Sequence, residues 1–293
     1  MSIHGDSTLH VEPVSKTYRS QGLTLHYLDW GNETAPPLLL VHGMWDHARS
    51  WDWIARELRH DWHVIAPDLR GHGDSDWSPD GAYLASYYLL DFADLIDTLG
   101  YAQINIVAHS FGGNPATRYA ALYPERVRKL VLIDAMGPTA PVVARWNELG
   151  TVKRMREWLE KRRDTEKAQR RFASVEEAAE RLMKTNKLLT SAYAHHLALH
   201  GVRRHSDGYS WKQDPVVGNF LPEDFAIDLA EYWRKITAST LICWGSESWT
   251  TNPATDGRSA YFRDHRNLTF EHAGHWLHHD QFDKFVAALQ EFL

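Results

Sequence analysis

Residues 104–113 read INIVAHSFGG, and this stretch decides the fold. Ile104–Val107 is rich in β-branched apolar residues, which is typical of a strand buried on both faces. Ser110 follows almost at once, and a helical pattern begins directly after it. Ala108 and Gly112 lie two positions to either side of the serine, where only small residues let a strand and a helix approach closely. The stretch therefore predicts a strand–turn–helix unit that exposes the Ser110 hydroxyl.

The arrangement around Ser110 resembles the nucleophile elbow, G-x-S-x-G, of the α/β-hydrolase superfamily, followed by a helix over 111–123. Ala108 stands in place of the first glycine, and alanine is small enough to keep the turn. The resemblance implies an α/β-hydrolase fold, with a mostly parallel, eight-stranded sheet flanked by helices. It also implies that Ser110 is the nucleophile, provided that a base and an orienting acid reach it. The alternative is a buried strand, turn and helix with an incidental serine.

The composition indicates one large domain, or one domain with an inserted subdomain, in a chain of 293 residues. Hydrophobic residues make up 43% of the chain and aromatic residues 12%, which is enough to build a substantial core. The net charge of −6 and the pI near 6.3 argue against electrostatic binding to nucleic acid or to an anionic membrane. The single cysteine, Cys243, excludes an intramolecular disulfide and is compatible with a reducing cytoplasm.

The amino terminus gives no sign of export. Residues 1–11 are polar and lack the basic start and apolar core of a signal peptide. No stretch approaches the roughly 18 consecutive apolar residues of a membrane span. We therefore expect a cytoplasmic protein that binds a small-molecule substrate and neither nucleic acid nor a membrane. The oligomeric state is left open.

Strand-like segments alternate with helical patterns, which predicts a mostly parallel sheet with helices on both faces. The first two segments flank a Gln-Gly turn and are expected to form an antiparallel pair. A helix is predicted around 89–99, and a terminal helix over 281–293. The predicted strands are Val14–Arg19, Leu23–Asp29, Leu38–Val41, His63–Ala66, Ile104–Val107, Leu130–Ile133, Thr240–Trp244 and Leu268–Glu271.

A long interruption separates the sixth predicted strand from the seventh. It contains basic residues interleaved with acidic ones and no buried-strand pattern. The sequence SVEE at 174–177 matches a capping box that begins a helix, and the turn at 206–208 predicts a small hairpin. By resemblance, this mainly helical insert is the cap domain of an α/β-hydrolase. We therefore expect a hydrolase core over 1–136 and 234–293, and a helical cap over 137–233.

The general base is expected on the loop after the last strand, where residues 271–276 read EHAGHW. In the family, a Gly-His pair at this loop carries the base, which implies His275. Its neutral imidazole would take the Ser110 proton and later return it to the leaving group. His109, next to the serine, is another candidate base, but on so tight a turn its side chain is expected to point away.

Three further histidines lie near the predicted base: His272, His278 and His279. Such a cluster invites interpretation as a metal site. However, carboxylates or cysteines that would complete the site are not arranged around it. We expect these side chains to cap the terminal helix or to lie in solvent, and we expect neither a metal nor a cofactor.

The orienting acid departs from the family pattern. Most members carry an aspartate three residues after the glycine that ends the seventh strand, whereas Gly245 is followed at that spacing by Ser248. Glu247 is adjacent, and its extra methylene would let it reach back to the imidazole. Asp134 ends the sixth strand and resembles an alternative acid position used by some relatives. Both residues remain candidates.

The oxyanion hole requires two backbone N–H donors near the serine. One is expected from Phe111, the residue after the nucleophile. By resemblance, the other comes from Met44 in the HGMW sequence at 42–45, where His42 is expected to brace the turn. Trp45, Trp249 and Trp276 lie beside these motifs. We expect them to line an apolar substrate pocket, with core packing as the alternative for each.

Residues 68–75, with the sequence DLRGHGDS, also match a family segment after the fourth strand. The glycines permit a turn at this point. We expect Arg70 and Asp74 to form an ion pair that fixes the turn.

The resemblance implies a capped serine hydrolase that cleaves a carboxylic ester through an acyl-enzyme, similar to a carboxylesterase. Serine as the nucleophile argues against the dehalogenase and epoxide-hydrolase branches, which use aspartate at that position. Hydrolysis of a carbon–carbon bond in a diketone is the nearest alternative, followed by lactonase and perhydrolase activity. A non-catalytic small-ligand receptor on the same fold is the alternative from another class.

Overall fold

A computed structural model describes residues 11–165, 170–220 and 228–293. Most of the polar amino terminus, on which the expectation of a cytoplasmic protein partly rested, lies outside these ranges. The strands are β1 (Val14–Ser20), β2 (Leu23–Asp29), β3 (Pro37–Val41), β4 (His63–Pro67), β5 (Ile104–His109), β6 (Val127–Ile133), β7 (Val202–His205), β8 (Gly208–Trp211), β9 (Ser239–Gly245) and β10 (His265–Phe270). The helices are α1 (Asp52–Leu58), α2 (Ala85–Leu99), α3 (Gly113–Leu122), α4 (Ala140–Leu149), α5 (Thr151–Thr165), α6 (Val175–Thr185), α7 (Ser191–Gly201), α8 (Leu229–Lys235), α9 (Leu277–Asp280) and α10 (Phe282–Phe292).

Eight strands form one sheet in the order β1-β2-β4-β3-β5-β6-β9-β10. β2 pairs antiparallel with β1 and with β4, and the remaining neighbours are parallel. The predictions of a mostly parallel, eight-stranded sheet and of an antiparallel opening pair are confirmed. Several boundaries differ: β6 begins three residues earlier than predicted, at Val127, β10 covers His265–Phe270, and a short 3-10 turn over Ser110–Gly112 precedes α3.

The core lies on both faces of the sheet because successive side chains of a strand point to opposite faces. In β3, Leu39 and Val41 pack on the side of α2, α3 and α8, whereas Leu38 and Leu40 pack on the side of α1 and α10. All four side chains are fully buried. This burial on both faces explains why the central strands read as continuous apolar runs.

The chain between β6 and β9 is mainly helical. α6 and α7 pack on each other around buried side chains such as Phe172 and Ala194, and β7 and β8 form the predicted hairpin. The Ser174 hydroxyl accepts a hydrogen bond from the Glu177 N–H at 3.3 Å, which confirms the predicted helix start. The division into core and cap at 137–233 stays a prediction. No helix in the described part of the chain is long and apolar enough to cross a membrane.

The expected ion pair between Arg70 and Asp74 is wrong. The Arg70 guanidinium instead donates two hydrogen bonds to Asp91 on α2, at 2.5 and 2.7 Å, and both side chains are almost fully buried. Asp74 lies at the surface, where it pairs with Lys212 at 2.7 Å. The reason is burial, because a buried guanidinium requires a carboxylate at the same depth, and α2 supplies one.

We predict that Arg70→Met lowers the free energy of unfolding by about 3–5 kcal/mol, since it leaves the buried Asp91 carboxylate without its cationic partner. Urea unfolding monitored by circular dichroism measures this change. Arg266→Met is the matched control, because Arg266 forms an exposed pair with Glu291 and its loss should leave the unfolding midpoint unchanged. Equal effects of the two substitutions would contradict the prediction.

Several buried histidines are held neutral. Burial lowers the pKa of His42 and of His279 to about 3, and that of His72 to about 4. In the unfolded chain these imidazoles titrate near their ordinary value of 6.5. Below about pH 6.5 the unfolded state therefore binds more protons than the folded state, so stability falls as the pH falls.

We predict that the free energy of unfolding decreases between about pH 6.5 and pH 4, by up to about 1.4 kcal/mol per pH unit for each such group. Urea titrations at several pH values measure the slope. His72→Gln removes one of the titrating groups and should make the slope shallower. An unchanged slope in this variant would show that His72 is not responsible.

Candidate active site

The elbow holds Ser110 at the carboxyl end of β5. Ser110 has a positive φ of 50°, a conformation that costs energy in a residue with a Cβ and that is found at functional sites. A Cβ on Gly112 would lie 2.6 Å from the His42 carbonyl oxygen and 2.7 Å from that of Val41, so glycine is required there. Ala108, in contrast, is accommodated fully buried within β5. The turn therefore tolerates alanine before the serine but not after it.

Three side chains from distant parts of the chain meet at this elbow. The Ser110 hydroxyl donates to His275 Nε2 at 2.8 Å, and His275 Nδ1–H donates to Asp134 Oδ2 at 2.6 Å. Asp134 directly follows β6, and His275 lies on the loop after β10. Asp134 also has a positive φ, of 47°. The geometry is that of a nucleophile, a base and an acid in a continuous row.

Glu247 is not brought to His275. Its side chain is 53% exposed, and its Oε1 lies 3.6 Å from His272 Nδ1. The Glu247 backbone N–H is bonded to the Ala273 carbonyl at 2.9 Å, which fixes this stretch of the loop with the carboxylate facing solvent. The alternative that assigned the acid to Glu247 is therefore contradicted, and Asp134 occupies that place.

Hydroxyl residues at and near the position where most family members carry the acid bind the Asp134 carboxylate. The Ser248 hydroxyl donates to Asp134 Oδ2, and the Thr250 hydroxyl donates to Asp134 Oδ1. Together with the imidazole, these hydroxyls give both carboxylate oxygens a hydrogen-bond donor in a buried place. This role was not predicted from the sequence, although hydroxyl residues stand at and beside the position where an aspartate is usual, at Ser248 and Thr250.

Two of the three neighbouring histidines do not lie where expected. His278 and His279 are buried, so the expectation that they cap the terminal helix or lie in solvent is wrong for both. His272 is exposed. His278 stacks on Trp51 with ring centroids 5.0 Å apart, and burial lowers its pKa well below the ordinary value. These rings pack the core as neutral groups because a buried imidazolium would be poorly solvated.

His109 points away from the serine hydroxyl and supports the base. His109 Nε2–H donates to the backbone carbonyl of His275 at 3.0 Å, which fixes the loop that carries the base. Burial lowers the pKa of His109 well below its ordinary value, so it stays neutral. Its role in this arrangement is positioning the base and not proton transfer from Ser110.

The loop after β3 passes directly over the nucleophile. A Cβ on Gly43 would lie 3.0 Å from the Ser110 Cβ, and Trp45 on the same loop has a positive φ of 63°. His42 braces the turn, since Nδ1–H donates to the Gly43 carbonyl at 2.6 Å and Nε2 accepts from the Leu69 N–H at 3.0 Å. This brace follows the expectation for His42.

The two expected oxyanion donors belong to residues on the same cavity wall. Met44 and Phe111 both line the cavity into which Ser110 opens. Among the described residues, neither backbone N–H donates to a carbonyl of another element. A place beside the Ser110 hydroxyl is what the assignment of these N–H groups as oxyanion donors requires, and the assignment itself stays a prediction.

A largely apolar cavity of about 500 Å³ opens over the serine. Trp45, Trp249 and Trp276 line it, and the Trp249 ring centroid lies 5.0 Å from that of His275. Trp45 and Trp249 are 61% and 72% exposed, so they lie at its mouth and not in the protein core. Other lining residues that the sequence analysis did not single out are Asn114, Arg118, Met136, Val142, Trp146, Phe220, Leu229 and Trp233.

Among the residues that the structure describes, two groupings of histidine and carboxylate elsewhere have a spacing that could suit a metal ion. Within both groupings, cationic side chains already pair with the carboxylates. Arg49 Nε lies 2.8 Å from Asp52 Oδ2, and Lys212 Nζ lies 2.7 Å from Asp74 Oδ1. The groupings are Asp52, His196 and His200, and His26, Asp68 and Asp74.

The family model described as the alpha/beta hydrolase fold matches residues 36–282. The chain belongs to this family. A serine hydrolase-like protein of Danio rerio is 31% identical over 188 residues, which are 63% of this chain and 57% of that protein. Epoxide hydrolase 4 of Mus musculus is 34% identical over 122 residues, which are 41% of this chain and 34% of that protein. The chain thus spans just over half of the first relative and about a third of the second.

Solved structures of other proteins superpose over nearly the whole chain. The thioesterase domain from the curacin biosynthetic pathway has a TM-score of 0.83 at 22% identity, covering 95% of this chain and 99% of that one. E-2-(acetamidomethylene)succinate hydrolase has a TM-score of 0.78 at 22% identity, covering 96% of this chain and 98% of that one. At this identity the likeness shows the fold alone.

We predict that Asp134→Asn slows covalent labelling of Ser110 by a fluorophosphonate by about 10⁴-fold, because an amide stabilises the wrong tautomer of His275. The labelling rate is measured by mass spectrometry of the intact protein. Glu247→Gln is the matched control and should label at the rate of the unmodified chain, since its carboxylate faces solvent. Slow labelling of the Glu247 variant and not of the Asp134 variant would reverse the assignment.

Moving the carboxylate provides a second test of the same assignment. The double variant Asp134→Ser, Ser248→Asp places the acid at the position that most family members use. Because Ser248 already contacts Asp134, a carboxylate at 248 lies within reach of the imidazole, and labelling should be faster than in Asp134→Ser alone. No recovery would mean that the loop after β9 cannot present an acid to His275.

Proposed function

We propose that this protein is a serine hydrolase that cleaves a carboxylic ester of a small, largely apolar molecule through an acyl-enzyme. The observation that carries the proposal is the row of hydrogen bonds from Ser110 through His275 to Asp134, which opens into an apolar cavity. An exposed serine hydroxyl is a weak nucleophile until a base accepts its proton, and this row supplies the base.

The reaction proceeds in two halves. His275 Nε2 accepts the Ser110 proton while Oγ attacks the ester carbonyl carbon, and the resulting oxyanion binds the N–H groups of Met44 and Phe111. The ester C–O bond then breaks, and the imidazolium returns the proton to the leaving alcohol. Water next gives a proton to His275 and attacks the acyl-enzyme, which releases the carboxylic acid and regenerates Ser110.

Asp134 acts through the imidazole and not on the substrate. Its carboxylate fixes the Nδ1–H tautomer of His275 and stabilises the imidazolium that forms when Ser110 is deprotonated. The hydroxyls of Ser248 and Thr250 hold the carboxylate in this orientation. The acid therefore stays aligned with the imidazole throughout the cycle.

The nucleophile favours an ester over an epoxide, despite the likeness to epoxide hydrolase 4. Opening an epoxide with the Ser110 hydroxyl would leave an ether, which has no carbonyl for water to attack. A carboxylate nucleophile avoids this problem because its intermediate is an ester. Asp134 does not take that role, since the imidazole and two hydroxyls surround its oxygens.

We also propose that residues 137–233 act as the cap of this site. Val142 and Trp146 on α4 and Phe220 line the cavity, so the insert contributes to substrate selection.

We further propose that the enzyme works in the cytoplasm. The single, buried Cys243 fits a reducing compartment. Cell fractionation with an antibody to the protein tests the compartment, and recovery only in the medium would refute it.

We predict that the protein hydrolyses p-nitrophenyl esters of short to medium acyl chains, and that Ser110→Ala reduces kcat by about 10⁶-fold. Release of p-nitrophenolate measures both. Ser86→Ala, at an exposed position of α2, is the control and should retain full activity.

Two alternative functions are tested in the same assay. A vinylogous diketone measured beside the esters tests the carbon–carbon hydrolase alternative, and faster turnover of the diketone would favour it. Absence of any turnover and of any covalent Ser110 adduct would favour a receptor.

A further inference from the structure

One wall of the cavity follows the beginning of α3, directly after the elbow. Asn114 lies four residues after Ser110, and both residues line the cavity. Side chains that are about one helical turn apart lie on the same face of a helix. The nucleophile and a side-chain amide therefore border the same apolar space, roughly 6 Å apart along the helix axis.

The Asn114 amide makes no hydrogen bond within the part of the chain that the structure describes. Its Oδ1 is shielded from solvent and has no partner, and its Nδ2 donates to no described residue. The neighbouring Thr117 differs, because its hydroxyl donates to the Gly113 carbonyl at 2.6 Å. The protein thus satisfies one polar side chain of this helix and leaves another, in the cavity wall, unbonded.

An amide at this place has a cost that the fold does not require. A shielded oxygen without a partner has lost its hydrogen bonds to water and has gained none in return. Leucine is similar in shape to asparagine, is a better helix former and carries no polar side-chain atom. The packing of α3 therefore gives no reason for asparagine at position 114, and such exceptions are expected where a residue contacts a ligand.

The surrounding lining makes the amide important for a polar part of a ligand. Met136 and Leu229 contribute apolar surface to the same cavity. A polar group of a ligand that enters such surroundings loses its water and needs a hydrogen-bond partner from the protein. Asp134 and His275 are bonded to each other, whereas the Asn114 amide is not engaged by any described residue and can supply that partner.

The chemistry of an amide favours a hydroxyl as the ligand group. An asparagine side chain offers N–H donors on one side and an acceptor oxygen on the other, and rotation about its last bond exchanges them. A hydroxyl can bond either side, because it both donates and accepts. It is also uncharged, which suits a largely apolar cavity.

We propose that the substrate is an ester that carries a hydroxyl group, and that the Asn114 amide binds this hydroxyl. The inference rests on the proposed ester hydrolysis and specifies its substrate class. Because the amide lies one helical turn from the nucleophile, the hydroxyl lies roughly 6 Å from the carbonyl that Ser110 attacks, a span of about four to six chain bonds. The methylene groups between them contact the apolar lining.

The test compares esters that end in a hydroxyl with esters in which a methyl group replaces that hydroxyl. In one arm, p-nitrophenyl esters of ω-hydroxy acids with about four to seven carbon atoms cover the span given by the helix. In the other arm, monoacetates of diols are compared with acetates of simple alcohols, which places the hydroxyl on the alcohol side. All rates are corrected for the reaction without enzyme.

An apolar wall alone would favour the methyl-ended ester, since a buried hydroxyl without a partner loses its bonds to water. With the amide in place, we expect kcat/KM for the hydroxyl ester to exceed that of its methyl-ended partner by about 3- to 10-fold at the best length. Asn114→Leu should invert this ratio in favour of the methyl group. Thr117→Val is the matched control that keeps the ratio, because the Thr117 hydroxyl is already bonded to the backbone.

A ratio at or below one at every length in both arms, or a preference for the hydroxyl that survives Asn114→Leu, would overturn the inference. Asn114→Ala shortens the side chain without adding volume, and it should reduce the ratio even if the leucine variant fails to fold.

A binding measurement separates this inference from the proposed hydrolysis. Calorimetry with Ser110→Ala compares ω-hydroxy amides with alkyl amides of the same length, which the variant binds without any turnover. Tighter binding of the hydroxy amide that is lost on adding Asn114→Leu, without turnover of any ester by the unmodified protein, would support the inference and refute ester hydrolysis. Turnover of esters with a preference for the methyl group would refute the inference alone.

Discussion

The hydrogen bond between Asp134 Oδ2 and His275 Nδ1, at 2.6 Å, is the interaction on which the site depends. Asp134 leaves the end of β6, and His275 lies after β10, so the bond spans the end of β9, which lies between these strands in the sheet. The Asp134 N–H also donates to the Cys243 carbonyl of β9 at 2.9 Å. The sheet thereby fixes the acid one strand away from its usual family position, while the loop after β9 contributes hydroxyls in its place.

The residues around His275 and Asp134 keep the carboxylate bonded and the neighbouring imidazoles neutral. A buried carboxylate is stable only when its oxygens are bonded, and the imidazole and two hydroxyls provide this for Asp134. Burial lowers the pKa of His109 and of His278, so both remain neutral and place no positive charge beside the base. His275 is thus the imidazole that contacts both the nucleophile and the acid, although several other histidines lie near it.

The sequence was sufficient wherever the information was local. The elbow around Ser110 and the alternation of buried strands with helices follow from short patterns, so the sheet and the position of Ser110 on a sharp turn after β5 could be predicted. The choice between Asp134 and Glu247 could not, because it depends on which side chain faces inward after distant strands pair. The same limit explains the wrong partner assigned to Arg70, whose carboxylate comes from α2 and not from its own loop.

The elbow has a consequence for how the site is built. Ser110 lies where β5 meets α3, and the close approach of Gly112 to β3 holds this unit against the sheet. The position of the Ser110 hydroxyl is therefore set by the packing of a strand and a helix and not by the insert. Residues of the insert, such as Val142 and Trp146, line the apolar part of the cavity instead. Under the proposed function, a change in the apolar part of the ester that is accepted therefore requires changes in the insert, whereas the elbow can stay the same.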